Sequence, residues 1–154
     1  MTFECKIETK QAQPVVAMRK TTSIEDLPAV LGEVYTELGA YLGELGEFPA
    51  GAPYSAYFNM DMQNLDVEIG IPVGKVVPEK GDIFSKDIPA GDFATCLYIG
   101  PYREIEPAYS ALSAWITESD RKTSGPAYEV YLNDPGEIAP EDLQTQILFP
   151  LENA

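Results

Sequence analysis

Apolar and polar positions alternate through Tyr128-Glu129-Val130-Tyr131-Leu132, and Asn133-Asp134-Pro135 follows as a turn. That pattern predicts a β-strand with Tyr128, Val130 and Leu132 on a core face and Glu129 and Tyr131 on the other. The same period of two marks the segments around Phe3-Cys5-Ile7, Val15–Arg19, Tyr54–Asn59, Val67–Val73, Phe93–Ile99 and Thr145–Leu151. The period changes at Leu27, Val30, Leu31, Val34, Leu38, Tyr41, Leu42 and Leu45, where three-and-four spacing predicts a helix with one apolar stripe. Thr22 or Ser23 can cap it, with Glu25, Asp26 and Pro28 expected in its first turn. Gly32, Gly39 and Gly43 weaken this helix in isolation and would permit close packing. A second helix is predicted through Ile105, Ala108, Tyr109, Leu112, Trp115 and Ile116.

These elements occur twice in one order: strand, helix, strand, strand. Tyr54-Ser55-Ala56-Tyr57-Phe58-Asn59 repeats the frame of Tyr128-Glu129-Val130-Tyr131-Leu132-Asn133, with Ser55 in place of Glu129. Each is followed by a matched strand ending in Pro and an aliphatic residue, Pro72-Val73 and Pro150-Leu151. Two copies cannot form a solenoid, so a single pseudo-two-fold domain over residues 1–154 is expected, with a central cleft beside Glu129. Repeat one runs over about residues 14–73, a connector over 74–92 and repeat two over about 93–151. Ile83-Phe84 within the connector can pair as a strand.

Charge changes the picture more than composition does. The chain has 154 residues and a net charge of −15, from 25 acidic and 10 basic residues with no histidine. Nucleic-acid binding, which calls for clustered Lys and Arg, is therefore not expected. From Thr21 to Gly74 and from Thr123 to Ala154 there is no Lys or Arg, and those stretches hold most of both repeats. A negative field of this kind draws cations and raises their encounter rate. No apolar run is long enough to span a membrane, and Met1-Thr2-Phe3-Glu4-Cys5-Lys6 lacks a signal pattern. A cytoplasmic protein is expected. Cys5 and Cys96 have no metal spacing, and Cys96 reads as buried filler in an apolar strand.

Without histidine, a phosphate loop or a metal cluster, the familiar nucleophile–base and metal-dependent enzyme classes fall away, and no cofactor is expected. The base-free acidic stretches favour a positively charged partner, for which the requirements are apolar contact, π-faces and one countercharge. Glu129 supplies the charge, with Tyr131 and Tyr57 on the corresponding strand face. Ser55 stands at the matching place in the first copy, and Glu68 points away from Val67, Ile69 and Ile71, toward the cleft face or its rim, so both are candidate ligand-binding residues. Trp115 reads chiefly as core, with its edge near the cleft; Tyr35, Tyr109 and Tyr128 read as core.

Gly100-Pro101-Tyr102, the helix with Leu112 and Trp115, Pro126–Pro135 and Leu143–Leu151 together resemble the GyrI-like small-molecule-binding family. Asp66, Glu68, Gly70, Pro72 and Val73 extend the likeness into the first copy. The resemblance implies an α+β fold of two β-α-β-β modules in a curved, mostly antiparallel sheet. It places two helices on the convex face and an aromatic ligand cleft on the concave face, with Glu129 at its base. It implies lipophilic, often cationic, small-molecule ligands; the chain departs from the family's regulators in leaving no room for a DNA-binding domain, and a stand-alone version is expected. It also implies an alternative activity, hydrolysis of cyclopropane-bearing electrophiles, with Glu129 as general base and Tyr131 or Tyr98 as proton donor. A third reading is an acidic interaction protein that inhibits a basic-surfaced partner by charge.

Overall fold

The computed structural model describes residues 3–134 and 136–152. Met1, Thr2 and Pro135, which the sequence reading placed in the first strand and the last turn, lie outside the described residues, as do Asn153 and Ala154. The elements, in chain order, are β1 (Cys5–Lys10), β2 (Gln13–Thr22), α1 (Leu27–Leu45), β3 (Tyr54–Tyr57), β4 (Leu65–Pro72), β5 (Phe84–Ile88), β6 (Gly91–Ile99), α2 (Glu106–Glu118), β7 (Ala127–Tyr131) and β8 (Gln144–Pro150). The fold is α+β. Two short 3-10 turns, Tyr102–Glu104 and Pro140–Asp142, complete it. No helix among the described residues is long and apolar enough to cross a membrane.

The chain divides into two compact units, one of residues 11–90 and the other of residues 1–10 with 91–154. In the first unit the strands run β3-β4-β2-β5, antiparallel throughout. The second has the corresponding order β7-β8-β6-β1, again antiparallel. Each unit therefore repeats the strand–helix–strand–strand plan and adds one edge strand from outside it. The connector strand β5 supplies that edge in the first unit, and the opening strand β1 supplies it in the second.

Hydrophobic periodicity explains how each helix seats. On α1 the spacing brings Leu27, Val34, Leu38, Tyr41 and Leu42 to one side, where they bury against Val16, Met18, Val67, Ile69 and Ile71. On α2, Ala108, Leu112 and Ile116 do the same against Ala94, Cys96, Tyr98, Ile147 and Leu151. Burying one such Leu or Ile side chain stabilises the fold by ~1.5–3 kcal/mol.

The helix ends depart from expectation in detail. Asp26 occupies the N-cap position without a side-chain cap, and the Ser23 hydroxyl accepts from the Asp26 N–H one turn earlier, so Glu25 and Asp26 precede the first turn. Gly46 ends α1 at φ 70° and donates its N–H to the Gly43 carbonyl, a left-handed stop that favours glycine. Gly32, Gly39 and Gly43 do not serve close packing: a Cβ at any of them would meet nothing within 4 Å. Leu132 is not a core residue either. β7 stops at Tyr131, and Leu132 follows it 45% exposed, because the chain turns away before the alternation can bring it inward.

Candidate functional site

The second unit assembles a carboxylate–phenol cluster from β7, α2 and the turn before α2. Glu129 pairs with Ile147 across β7 and β8, and Ile147 pairs with Cys96 on β6. Directly opposed residues in an antiparallel sheet share a face. Ile147 and Cys96 pack against α2, so Glu129 lies on the helix-covered face of its own unit. The sequence reading had set Glu129 away from the face packed by the helix. The register corrects that assignment, because β7 is the strand whose polar row turns toward α2.

From α2, Tyr109 donates its hydroxyl to Glu129 Oε2 in a short hydrogen bond. Tyr131, two residues along β7 on the same face, donates to Oε1 at 3.0 Å. The Tyr102 ring meets Tyr131 edge to face with centroids 5.6 Å apart, and Tyr109 meets Phe149 likewise at 6.0 Å. Burial pushes the Glu129 carboxyl above its ordinary range, while the hydrogen bonds from Tyr109 and Tyr131 act in the opposite direction. Tyr102 is also pushed up, first by burial and then by the negative charges of Asp134 and Glu129.

No lysine or arginine among the described residues forms an ion pair with Glu129. An ionised carboxylate offers about four acceptor positions. Two phenols fill part of that capacity, and the rest suits a positive group or a proton.

The first unit treats its own buried carboxylate differently. Glu68 is 1% exposed on β4, with Tyr54 donating to Oε2 at 2.7 Å and Lys86 Nζ from β5 at 3.0 Å from Oε1. Arg19 stands opposite Glu68 but is held by Asp66 through Nε and Nη2, at 2.5 and 2.8 Å. Glu68 does point away from Val67, Ile69 and Ile71, as its strand position predicts. Its countercharge is already built in.

Ser55 and Tyr57 come together on the α1 side of the first unit: Ser55 Oγ donates to the Tyr57 hydroxyl at 3.0 Å. Tyr98 is buried and donates its hydroxyl to the Pro101 carbonyl at 2.7 Å. Trp115 packs in the α2 stripe. Of the predicted site residues, then, Glu129 and Tyr131 form one cluster, and Ser55 and Tyr57 another.

Sequence reading missed Tyr109, Tyr102, Tyr54 and Lys86. A signal for Tyr109 existed: Tyr35 and Tyr109 hold the same place before Ser55 and Glu129 in the two copies. The wholly buried Thr145, opposite Tyr131 and Tyr98, was also missed; its hydroxyl has no hydrogen-bond partner among the described residues.

The family model of the GyrI-like small molecule binding domain matches residues 3–152. The chain belongs to this family. As a GyrI-like domain it is similar in fold to the EcmrR C-terminal domain, with a TM-score of 0.84 at 20% identity and full coverage of both chains. In the EcmrR–DNA complex, the TM-score is 0.87 at 19% identity, and this chain spans 58% of EcmrR. A hydrolase from Listeria innocua gives a TM-score of 0.74 at 12% identity, covering 97% of this chain and 92% of its own. SAV2435 bound to tetraphenylphosphonium gives 0.68 at 11% identity, with coverages of 97% and 94%. At these identities the likeness is one of fold. No curated protein sequence matches the chain.

Proposed function

We propose that this GyrI-like domain binds lipophilic cationic small molecules at Glu129, sequestering or sensing such xenobiotics in the cytoplasm. One contrast supports the reading above all others. The fully buried Glu68 carries Lys86 as a resident cation, whereas the half-buried Glu129 is held by phenols alone among the described residues. A desolvated carboxylate between aromatic rings gains most from a cation whose charge offsets its own desolvation, and the rings add ~0.5–2 kcal/mol of cation–π attraction. The net charge of −15 favours encounter with cations. SAV2435, similar in fold, has a lipophilic phosphonium as its ligand.

The test compares a fluorescent dye cation with a neutral dye of similar size, on the wild type and on Glu129→Gln. The cation should lose at least tenfold in affinity, about 1.4 kcal/mol, and the neutral dye little. Equal affinity for both dyes, unchanged by the substitution, refutes the reading.

A second reading rests on the same cluster. A carboxyl held above its ordinary range can act as a general base at neutral pH, and Tyr109 and Tyr131 stand ready as proton donors. The similarity in fold to a Listeria hydrolase is in keeping with it. Ring-opened product from a cyclopropane-bearing alkylator, formed beyond one equivalent per protein and lost in Glu129→Gln, distinguishes turnover from binding.

A further inference from the structure

We propose that Cys5 and Cys96 are an oxidisable dithiol that closes into a cross-strand disulfide when the protein meets a peroxide. The inference rests on register. Cys5 on β1 stands directly opposite Cys96 on β6, in a run of six consecutive antiparallel pairs from Cys5↔Cys96 to Lys10↔Gly91. Opposed residues in such a ladder have Cα atoms ~4.5–5.5 Å apart and share a face. A disulfide asks for ~4.4–6.8 Å between Cα atoms. Both thiols are free. Closing the bond therefore asks for a local adjustment and no change of register.

The two sulfurs have different surroundings, which orders the chemistry. Cys96 is 1% exposed, among Ala94, Tyr98, Leu112 and Ile147 beneath α2. Cys5 lies on the edge strand of its sheet and keeps partial access to solvent. The Cys5 thiolate attacks one oxygen of hydrogen peroxide, the O–O bond breaks, and a sulfenic acid forms while hydroxide leaves and takes up the thiol's proton as water. The Cys96 sulfur then attacks the sulfenic sulfur; the S–S bond forms, the S–O bond breaks, and a second water leaves with the Cys96 proton. Two thiols and one peroxide give one disulfide and two waters, with both sulfurs oxidised and both peroxide oxygens reduced. Burial pushes both thiols up, that of Cys96 to about 12, so the first step is slow and the reduced pair persists without an oxidant.

The product ties the edge strand β1 covalently to β6. It also acts on the row that carries the site, for Cys5, Cys96, Ile147 and Glu129 are successive opposed positions across β1, β6, β8 and β7. These are the only two cysteines in the chain, so an intramolecular disulfide in this protein has one identity.

The experiment treats the reduced full chain with hydrogen peroxide, then denatures and alkylates it. Met60, 72% exposed, serves as an internal clock for oxidation. Both thiols should disappear together before Met60 is fully converted to sulfoxide. The protein should stay monomeric on a non-reducing gel, and digestion should yield one linked peptide pair containing Cys5 and Cys96. Dithiothreitol, which leaves sulfoxide intact, should restore both thiols and lower the thermal midpoint of the same sample; Cys5→Ser should show neither change. Thiols that survive complete Met60 oxidation, sulfinic acid at Cys5 with Cys96 still free, or disulfide-linked dimers would each overturn the proposal.

Discussion

The Glu68–Lys86 pair allows a quantitative test of the idea that a buried carboxylate in this fold demands a cation. Replacing Lys86 by Met keeps most of the apolar stem and removes the ammonium. Glu68, with its side chain 2% exposed, would then keep only the hydrogen bond from Tyr54. Breaking a fully buried pair costs ~3–5 kcal/mol. Lys86 retains 34% side-chain exposure, so the pair is partly screened, and the surviving bond to a charged group contributes ~1.5–3 kcal/mol. The net loss for Lys86→Met is therefore about 2–3 kcal/mol. Arg19, opposite Glu68, is held in a two-point contact with Asp66 through Nε and Nη2, so turning it to Glu68 would break that pair. Glu68→Gln should cost less, about 1 kcal/mol, because the amide still accepts from Tyr54 and the orphaned ammonium can turn to water. Urea unfolding at constant m-value reads both, and with a slope of ~1–3 kcal/mol/M the Lys86 variant should shift its midpoint by roughly 1–2 M. The double replacement Glu68→Met with Lys86→Met should recover part of the loss. If Lys86→Met costs no more than Glu68→Gln, the buried carboxylate does not depend on its cation, and the contrast with Glu129 loses its force.

Two further outcomes follow from specific contacts. Gly70→Ala should destabilise the fold by about 2 kcal/mol through overpacking, because its Cβ would lie 2.6 Å from the Tyr54 hydroxyl and 2.7 Å from the ring; a thermal midpoint within error of wild type would mean that Tyr54 is free to move. For Glu129, the folded carboxyl sits above its unfolded value, so the stability it contributes is fully present below the ordinary carboxylate range and is lost as pH rises through the raised value. The stability difference, wild type minus Glu129→Gln, should therefore fall as pH rises above the ordinary carboxylate range; a flat difference would refute the raised carboxyl.

The period of the apolar residues carried most of the architecture. Both helices and their buried stripes, the repeated strand order and the pairing of β5 out of the connector were legible, because each rests on local spacing. Facing was harder to read. Alternation along β7 separates Glu129 from Tyr128, yet the alternation alone does not say which side a helix will cover. That depends on pairing with β8, a long-range fact, and so the face of Glu129 was assigned the wrong way. Lys86 was invisible for the same reason: it reaches Glu68 from β5 across β2, and no local motif records a contact between strands that are not neighbours. Tyr109 was read as core because a tyrosine in an apolar helix stripe is core by its ring. Its hydroxyl reaches Glu129, and only the position of Glu129 reveals that contact.

The two copies keep their phenols and change their acceptor, which explains why one scaffold yields a charged site in one unit alone. Tyr35 on α1 and Tyr109 on α2 each reach from the helix to the second strand of their copy. In the first unit, where the strand offers Ser55, the Tyr35 hydroxyl donates to the Tyr54 carbonyl at 2.9 Å. In the second, where the strand offers Glu129, the Tyr109 hydroxyl donates to the carboxylate. Tyr57 and Tyr131 behave in parallel, the one accepting from Ser55 and the other donating to Glu129. A helix tyrosine that can satisfy itself on backbone needs no carboxylate, so the fold tolerates either residue beneath it. A carboxylate beneath the helix, by contrast, gains from the tyrosine, since without Tyr109 the hydrogen bond from Tyr131 alone would offset its desolvation. The phenols are thus the part the two copies share, and the acceptor beneath them is the part that differs. Ser55 and Glu129 hold matching places, and there the second copy alone sets a carboxylate between its helix tyrosine and its strand tyrosine.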